Sequence, residues 1–236
     1  MLKVGNMDIA KIYAGEAPIK KVYAGSELVW PTEQPLPYAE ELDYLDSASA
    51  QNKYFDLGIK PDFSATYEFE TIVYDTNYQN KTICGAIDSS PMVWFFIAQT
   101  FNNKLDLNYG TQGTDDAGSV AFINAQRFRV KSIMGDGIQR GWVQNLTSGG
   151  TEQLVTNTTY PAYSGYSFQS NIRLFNRTNF LCPAIFRMGR TTLKVNGELL
   201  YDLVPCITFE GVYTFYNKVT ETFLTKTGNF TGGHWN

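Results

Sequence analysis

Histidine is almost absent from this chain. His234 is the only one in 236 residues, and it lies near the C-terminus. A Ser-His-Asp or Cys-His catalyst, or a metal site built on imidazole, would have to rely on that one side chain, expected in a mobile tail. Cysteine is scarce too. Cys84, Cys182 and Cys206 are odd in number and share no CxxC spacing, which excludes a disulfide framework and a cysteine zinc site. Three reduced, buried thiols made in a cytosol are the expectation. Basic charge is not in excess, since 19 Lys and Arg stand against 23 Asp and Glu, so no nucleic-acid-binding stripe forms. The longest apolar run, MVWFFIA (92 to 98), is far short of the roughly 20 residues a membrane-spanning helix needs. It reads as a fully buried strand. The N-terminal residues contain no apolar stretch of signal-peptide type, so export by that route is not expected. No window shows a long, capped amphipathic helix.

What is present is alternation. Phe63 to Glu70, Lys104 to Tyr109 and Arg127 to Lys131 alternate apolar and polar residues, as half-buried strands do. Thr192 to Val195 and Glu198 to Tyr201 flank Asn196-Gly197, the strongest short hairpin signal. About ten short strands with turn signals between them predict an all-β sandwich or jelly roll over 38–236.

The first thirty residues repeat. In IAKIYAGEAPIKKVYAGSELVW (9 to 30), Ile9, Ile12, Tyr13 and Gly15 recur ten residues on as Ile19, Val22, Tyr23 and Gly25, and the stretch ends at Trp30. Leu2 and Gly5 fall in the same register as a degenerate first copy. One short strand and one turn per copy predict a small three-stranded β-meander over 1–30. Such a sheet has little core and must pack on its own main domain, on a second copy, or on a docking partner. The proline-rich PTEQPLP (31 to 37) then reads as a stiff linker.

Chemistry has few places to reside. Glu68 and Glu70 stand two apart on one strand face, the arrangement glycoside hydrolases of jelly-roll type use. The plainer reading is a solvent face opposite Tyr67 and Phe69. Asp115, Asp116 and Asp136 lie in Gly-rich turns that could supply calcium ligands, but such turns use Asp for backbone reasons alone. No metal and no cofactor are therefore expected. The loop YPAYSGYSF (160 to 168) carries Tyr160, Tyr163, Tyr166 and Phe168, which could stack on sugar faces if exposed, with Trp142 as a further contributor. Trp94 is expected in the core.

Two stretches of the main domain resemble a known family. Residues 36 to 70, with Tyr44, Leu45, Ser47, Tyr54, Asp56 and Gly58, are similar to the opening of concanavalin A-like (laminin G-like) jelly rolls common in phage and prophage structural proteins. NIRLFNRTN (171 to 179) resembles a strand of that family, and Leu200, Asp202, Pro205, Gly211, Tyr216, Phe223, Thr225, Gly228 and Phe230 resemble its closing hairpins. The match departs at Asn52-Lys53, Phe55 and Leu57, where Gln, Ile and Thr are usual. The tandem repeat resembles the leading segment of phage tail and fibre proteins. The resemblance implies a non-enzymatic virion protein of a tailed phage. Residues 1–30 would attach it to other virion proteins, and a lectin-like domain would face a host surface glycan. It also implies a homo-oligomer, a trimer first, with no nucleic-acid or membrane partner. The alternatives are a jelly-roll glycoside hydrolase and a purely structural spacer.

Overall fold

The computed structural model describes residues 3–4, 7–8, 12–14, 17–19, 22–24, 27–30, 36–47, 53–74, 81–89, 92–101, 104–110, 112–113, 122, 125–159, 166–176 and 186–235. Every regular element among them is a β-strand. The chain divides into two compact units, Met1–Pro37 and Tyr38–Asn236.

In the first unit, β1 (Lys3–Val4) pairs with β2 (Met7–Asp8), β3 (Ile12–Ala14) with β4 (Ala17–Ile19), and β5 (Val22–Ala24) with β6 (Glu27–Trp30). The expected three-stranded meander is therefore corrected to three separate two-stranded hairpins. Each ten-residue copy is a whole hairpin. The innermost pairs Val4↔Met7, Ala14↔Ala17 and Ala24↔Glu27 recur at the repeat's own spacing. Two residues separate each pair, and the sequence there is Gly-Asn, Gly-Glu and Gly-Ser. The antiparallel pairing itself shows that the chain reverses within each copy rather than between copies. Ile12, Tyr13, Ile19, Val22, Tyr23 and Trp30 lie on these strands, while Ile9, Gly15 and Gly25 lie outside the described residues.

The second unit continues with β7 (Glu40–Glu41), β8 (Tyr44–Asp46), β9 (Tyr54–Asp56), β10 (Tyr67–Tyr74), β11 (Lys81–Ser89) and β12 (Met92–Phe101). Then follow β13 (Lys104–Gly110), β14 (Gln112–Gly113), β15 (Arg127–Gly135), β16 (Ile138–Asn145), β17 (Gln153–Thr159) and β18 (Arg173–Leu174). The last are β19 (Arg187–Val195), β20 (Glu198–Ile207), β21 (Tyr213–Asn217), β22 (Thr222–Phe223), β23 (Lys226–Thr227) and β24 (Thr231–Gly233). They form two antiparallel sheets. One runs β17-β16-β15-β10-β19-β20-β21-β22, with β7 on β20 and with β8 joining β19 to β24. The other runs β14-β13-β12-β11-β18-β9-β23. The all-β sandwich read from the sequence is what the chain forms.

Alternation decides what each face does. On β10, Tyr67, Phe69, Thr71 and Val73 are buried, and Glu68, Glu70, Ile72 and Tyr74 face outwards. The inward residues of both sheets close one apolar core that includes Phe55, Phe95, Phe128, Leu174, Phe186 and Phe215. Each such side chain contributes roughly 1.5–3 kcal/mol by leaving water. The sheets are also tied by hydrogen bonding, because the Ser132 hydroxyl on β15 donates to the Ile97 carbonyl on β12 at 2.6 Å. Trp94 departs from expectation. Val93, Phe95 and Ile97 are buried, but Trp94 is only half-buried on the opposite face of its strand. The free thiols of Cys84 and Cys206 are buried, and burial pushes the Cys206 thiol up to about 12. Cys182 lies outside the described residues.

The tail is the other correction. Thr231–Gly233 pairs with β8, and the Trp235 amide donates to Asp43 Oδ2 at 2.8 Å. His234 Nε2 lies 3.0 Å from Glu40 Oε1 and its Nδ1 lies 3.4 Å from Asp43 Oδ2. The hydrogen bond to Glu40 and the charge of Asp43 raise the imidazole above its ordinary value. The expected mobile terminus is thus strapped to the sheet. Trp235 packs on Tyr44 with ring centres 4.5 Å apart, and the Arg187 guanidinium stacks over Tyr44 and Tyr74 at 4.8 and 5.1 Å. Gly189 permits this approach, since a Cβ there would sit 3.0 Å from the Asp43 carbonyl oxygen and 3.6 Å from the Trp235 ring.

Candidate functional site

The strap covers the outer face of the larger sheet at the Tyr74 end of β10. At the other end the face is open, and cross-strand register lays its side chains out in rows. Pairings Glu70↔Thr192, Glu70↔Lys131, Lys131↔Trp142 and Trp142↔Leu154 place Thr192, Glu70, Lys131, Trp142 and Leu154 in one line across five strands. A second line runs Lys194, Glu68, Ile133. Neighbouring positions in a row are about 4.8 Å apart, close enough for side chains to touch. Between the rows is a groove of about 370 Å³, lined by Glu68, Glu70, Lys131, Trp142, Glu152 and Lys194 among others.

Two local features shape its apolar end. Gly141 has no side chain to turn inwards, and a Cβ there would meet Leu105 at 2.8 Å, so β16 lies tightly on the core beside Trp142. The pairing of β16 with β17 shifts register between Gly141 and Trp142. That bulge buries both Val155 and Thr156 and leaves Leu154 outward, 52% exposed, opposite Trp142.

The charged end is fully paired. Lys194 Nζ lies 3.1 Å from Glu68 Oε2, Arg129 Nε 3.4 Å from Glu70 Oε1, and Lys131 Nζ 2.6 Å from Glu152 Oε2. Arg129 is steadied further by donating to Gln144 Oε1 at 3.0 Å, and Gln144 donates to the Gly150 carbonyl at 3.0 Å. Glu68 and Glu70 are thus on the solvent face, and each is held against a cation. A general acid needs the opposite surroundings, a carboxyl in an apolar pocket.

The aromatic loop behaves differently from its sequence reading. Phe168, expected as an exposed stacking residue, is 2% exposed and sits in the core against Phe63 and Phe95. Tyr166 is half-buried, meets Phe168 edge to face, and donates its hydroxyl to Asp88 Oδ2 at 2.8 Å. Tyr160 and Tyr163 lie outside the described residues. The cause is Asp88, buried on β11, which also accepts the Gln169 and Ser170 amides at 2.8 and 3.0 Å. Burial alone would raise this carboxyl, but the hydrogen bonds from Gln169, Ser170 and Tyr166 together hold it below its ordinary value. Such a group contributes stability that is present above the unfolded-state value of about 3.9 and is lost as pH falls through the folded value. Asp88→Ala should therefore cost about 2–4 kcal/mol at neutral pH and less in acid, as read by urea denaturation across pH.

Trp142 is the sequence-derived candidate that the groove contains, half-buried and facing out. Glu152, which lines the groove, and Leu154, opposite Trp142 beside it, carry no sequence signal, because the β16–β17 bulge and the pairing register set their places. Among the described residues no group of three His, Cys, Asp or Glu could hold a metal ion. Asp136 has φ 49° in a tight turn between Gly135 and Gly137, a backbone role, and Asp115 and Asp116 lie outside the described residues. Among them, too, no helix is long and apolar enough to cross a membrane. Compared with known protein families and with curated proteins, the chain matches none.

Proposed function

We propose that this chain is a non-enzymatic structural component of a tailed-phage virion whose jelly roll binds host-surface glycan. The observation that carries the adhesion reading is the outer-face groove, where an aromatic platform sits beside polar groups already locked in ion pairs. Binding sites are concave, apolar at one end and fixed by a few placed polar groups, and this groove has that composition. The attachment role is given to residues 1–30. Three hairpins with arms of two to four residues cannot bury a core of their own, which supports a docking partner or further copies, a trimer first, as their cover.

A second reading, a glycoside hydrolase, has one observation in its favour. Glu68 and Glu70 line the same groove as Trp142. Their pairing with Lys194 and Arg129 favours the binding reading.

Deleting residues 1–30 should leave the sandwich folded, with its denaturation midpoint unchanged, and abolish incorporation into particles. Particle composition by mass spectrometry, with imaging of intact particles, reads the outcome. Normal incorporation of the shortened chain would overturn the attachment role.

A further inference from the structure

We infer that the outer-face groove takes an uncharged saccharide, and excludes acidic and basic ones. The inference rests on the adhesion reading and narrows its ligand. Three carboxylates line the groove, Glu68, Glu70 and Glu152, and each is matched to one cation within 3.4 Å: Lys194 and Lys131 in the lining and Arg129 outside it. The three pairs together carry no net charge, and no charge in the set is left over to recruit an ion. Arg140, further along the same face, is turned to Asn157 Oδ1 at 3.1 Å and does not line the groove.

An acidic sugar entering here would bring a fourth negative charge among three carboxylates. The cations it would seek are already neutralised at closer range. Its desolvation would go uncompensated, and like-charge contact would repel it. A basic sugar meets the mirror-image problem. A hydroxyl group does not. It accepts from an ammonium and donates to a carboxylate, and a paired lysine or glutamate keeps donors and lone pairs to spare. Thr192 adds a hydroxyl of its own to the row. At the far end Trp142 lines the groove, and Leu154, exposed and opposite it on β17, adds apolar area beside it, to which the C–H face of a sugar ring is complementary. The linear row across five strands suits a chain of sugar units rather than a single compact ion.

The test uses the full chain on an array of neutral, acidic and amino-sugar oligosaccharides at low and high salt. Parent protein should bind neutral oligosaccharides alone, with affinity nearly independent of salt, because the ligand and the ion-pair set at the groove carry no net charge. Trp142→Ala should weaken binding about tenfold or more. Leu154→Ala, at an exposed position that folding tolerates, should weaken it severalfold, so the result does not hang on one aromatic. Glu70→Gln leaves Arg129 unmatched, gives the ion-pair set at the groove one net positive charge, and should gain salt-sensitive binding of acidic oligosaccharides. Parent binding strongest to acidic or amino sugars, and lost in Trp142→Ala, would overturn the neutral class while leaving adhesion intact. Binding untouched by Trp142→Ala and Leu154→Ala would overturn the groove as the site. No binding to any class would overturn the adhesion reading itself.

Discussion

Gly135→Ala is expected to destabilise the sandwich by at least about 3 kcal/mol, more than any other single methyl group added to it. Gly135 closes β15 with φ at +115°, a conformation that side-chain-bearing residues rarely adopt. A Cβ there would lie 1.8 Å from the Ala65 carbonyl oxygen, which is backbone and has no rotamer by which to retreat. The same turn donates the Asp136 amide to the Phe63 carbonyl at 3.0 Å, so relieving the clash would break the seam between this hairpin and the approach to β10. Gly149 separates the two causes. Its φ is +67°, but a Cβ there would have nothing within 4 Å, so Gly149→Ala should cost only the conformational share, about 1 kcal/mol. Urea denaturation of the two variants, with unchanged slopes, checks both values. Equal losses would mean that backbone strain, and not the Ala65 contact, sets the penalty.

Phe55→Ala should cost about 3–5 kcal/mol, the range for emptying a fully packed aromatic site. Phe55 is 0% exposed and sits where four segments converge. Its ring centre lies 4.6 Å from Phe230, 5.0 Å from Phe215 and 6.1 Å from Phe175. Its strand β9 also carries the ladder between β18 and β23, so the cavity would loosen the C-terminal strands as well as the core. Hydrogen exchange should show Lys226 and Thr227 losing protection along with Phe55's own strand. Tyr54→Ala, next in sequence but turned outwards under the Arg173 guanidinium at 3.9 Å, should cost about 1 kcal/mol. A Phe55→Ala penalty no larger than that of Tyr54→Ala would contradict the packing described here.

The features that local chemistry controls were legible in the sequence. Alternation along β10 correctly separated Glu68 and Glu70 from Tyr67 and Phe69, and Asn196-Gly197 formed the expected turn, with φ of 51° and 80°. The start of β10 was displaced, since Phe63 to Thr66 form a turn rather than strand. Asp62 accounts for that by accepting the Ser64 amide at 2.8 Å, a local signal that the alternating pattern masks. The repeat is visible in the sequence, but its alternation suggests one strand per copy, whereas the pairing places two. What depended on distant partners was not legible. Phe168 lies in a stretch with loop composition, yet Asp88, 80 positions away, draws that stretch into the core. The groove needs β19, β10, β15 and β16 in register, and Leu154 beside it faces out only because of a bulge.

Binding without cleavage can be read from the fate of a retained sugar. Purified protein is incubated with the neutral oligosaccharide it retains best, and bound and free sugar are analysed by mass spectrometry. The sugar should be recovered intact from the wild-type protein and should no longer be retained by Trp142→Ala. Shorter sugar products that appear with the wild type and vanish in Glu68→Gln or Glu70→Gln would contradict binding without cleavage and make the groove an active site.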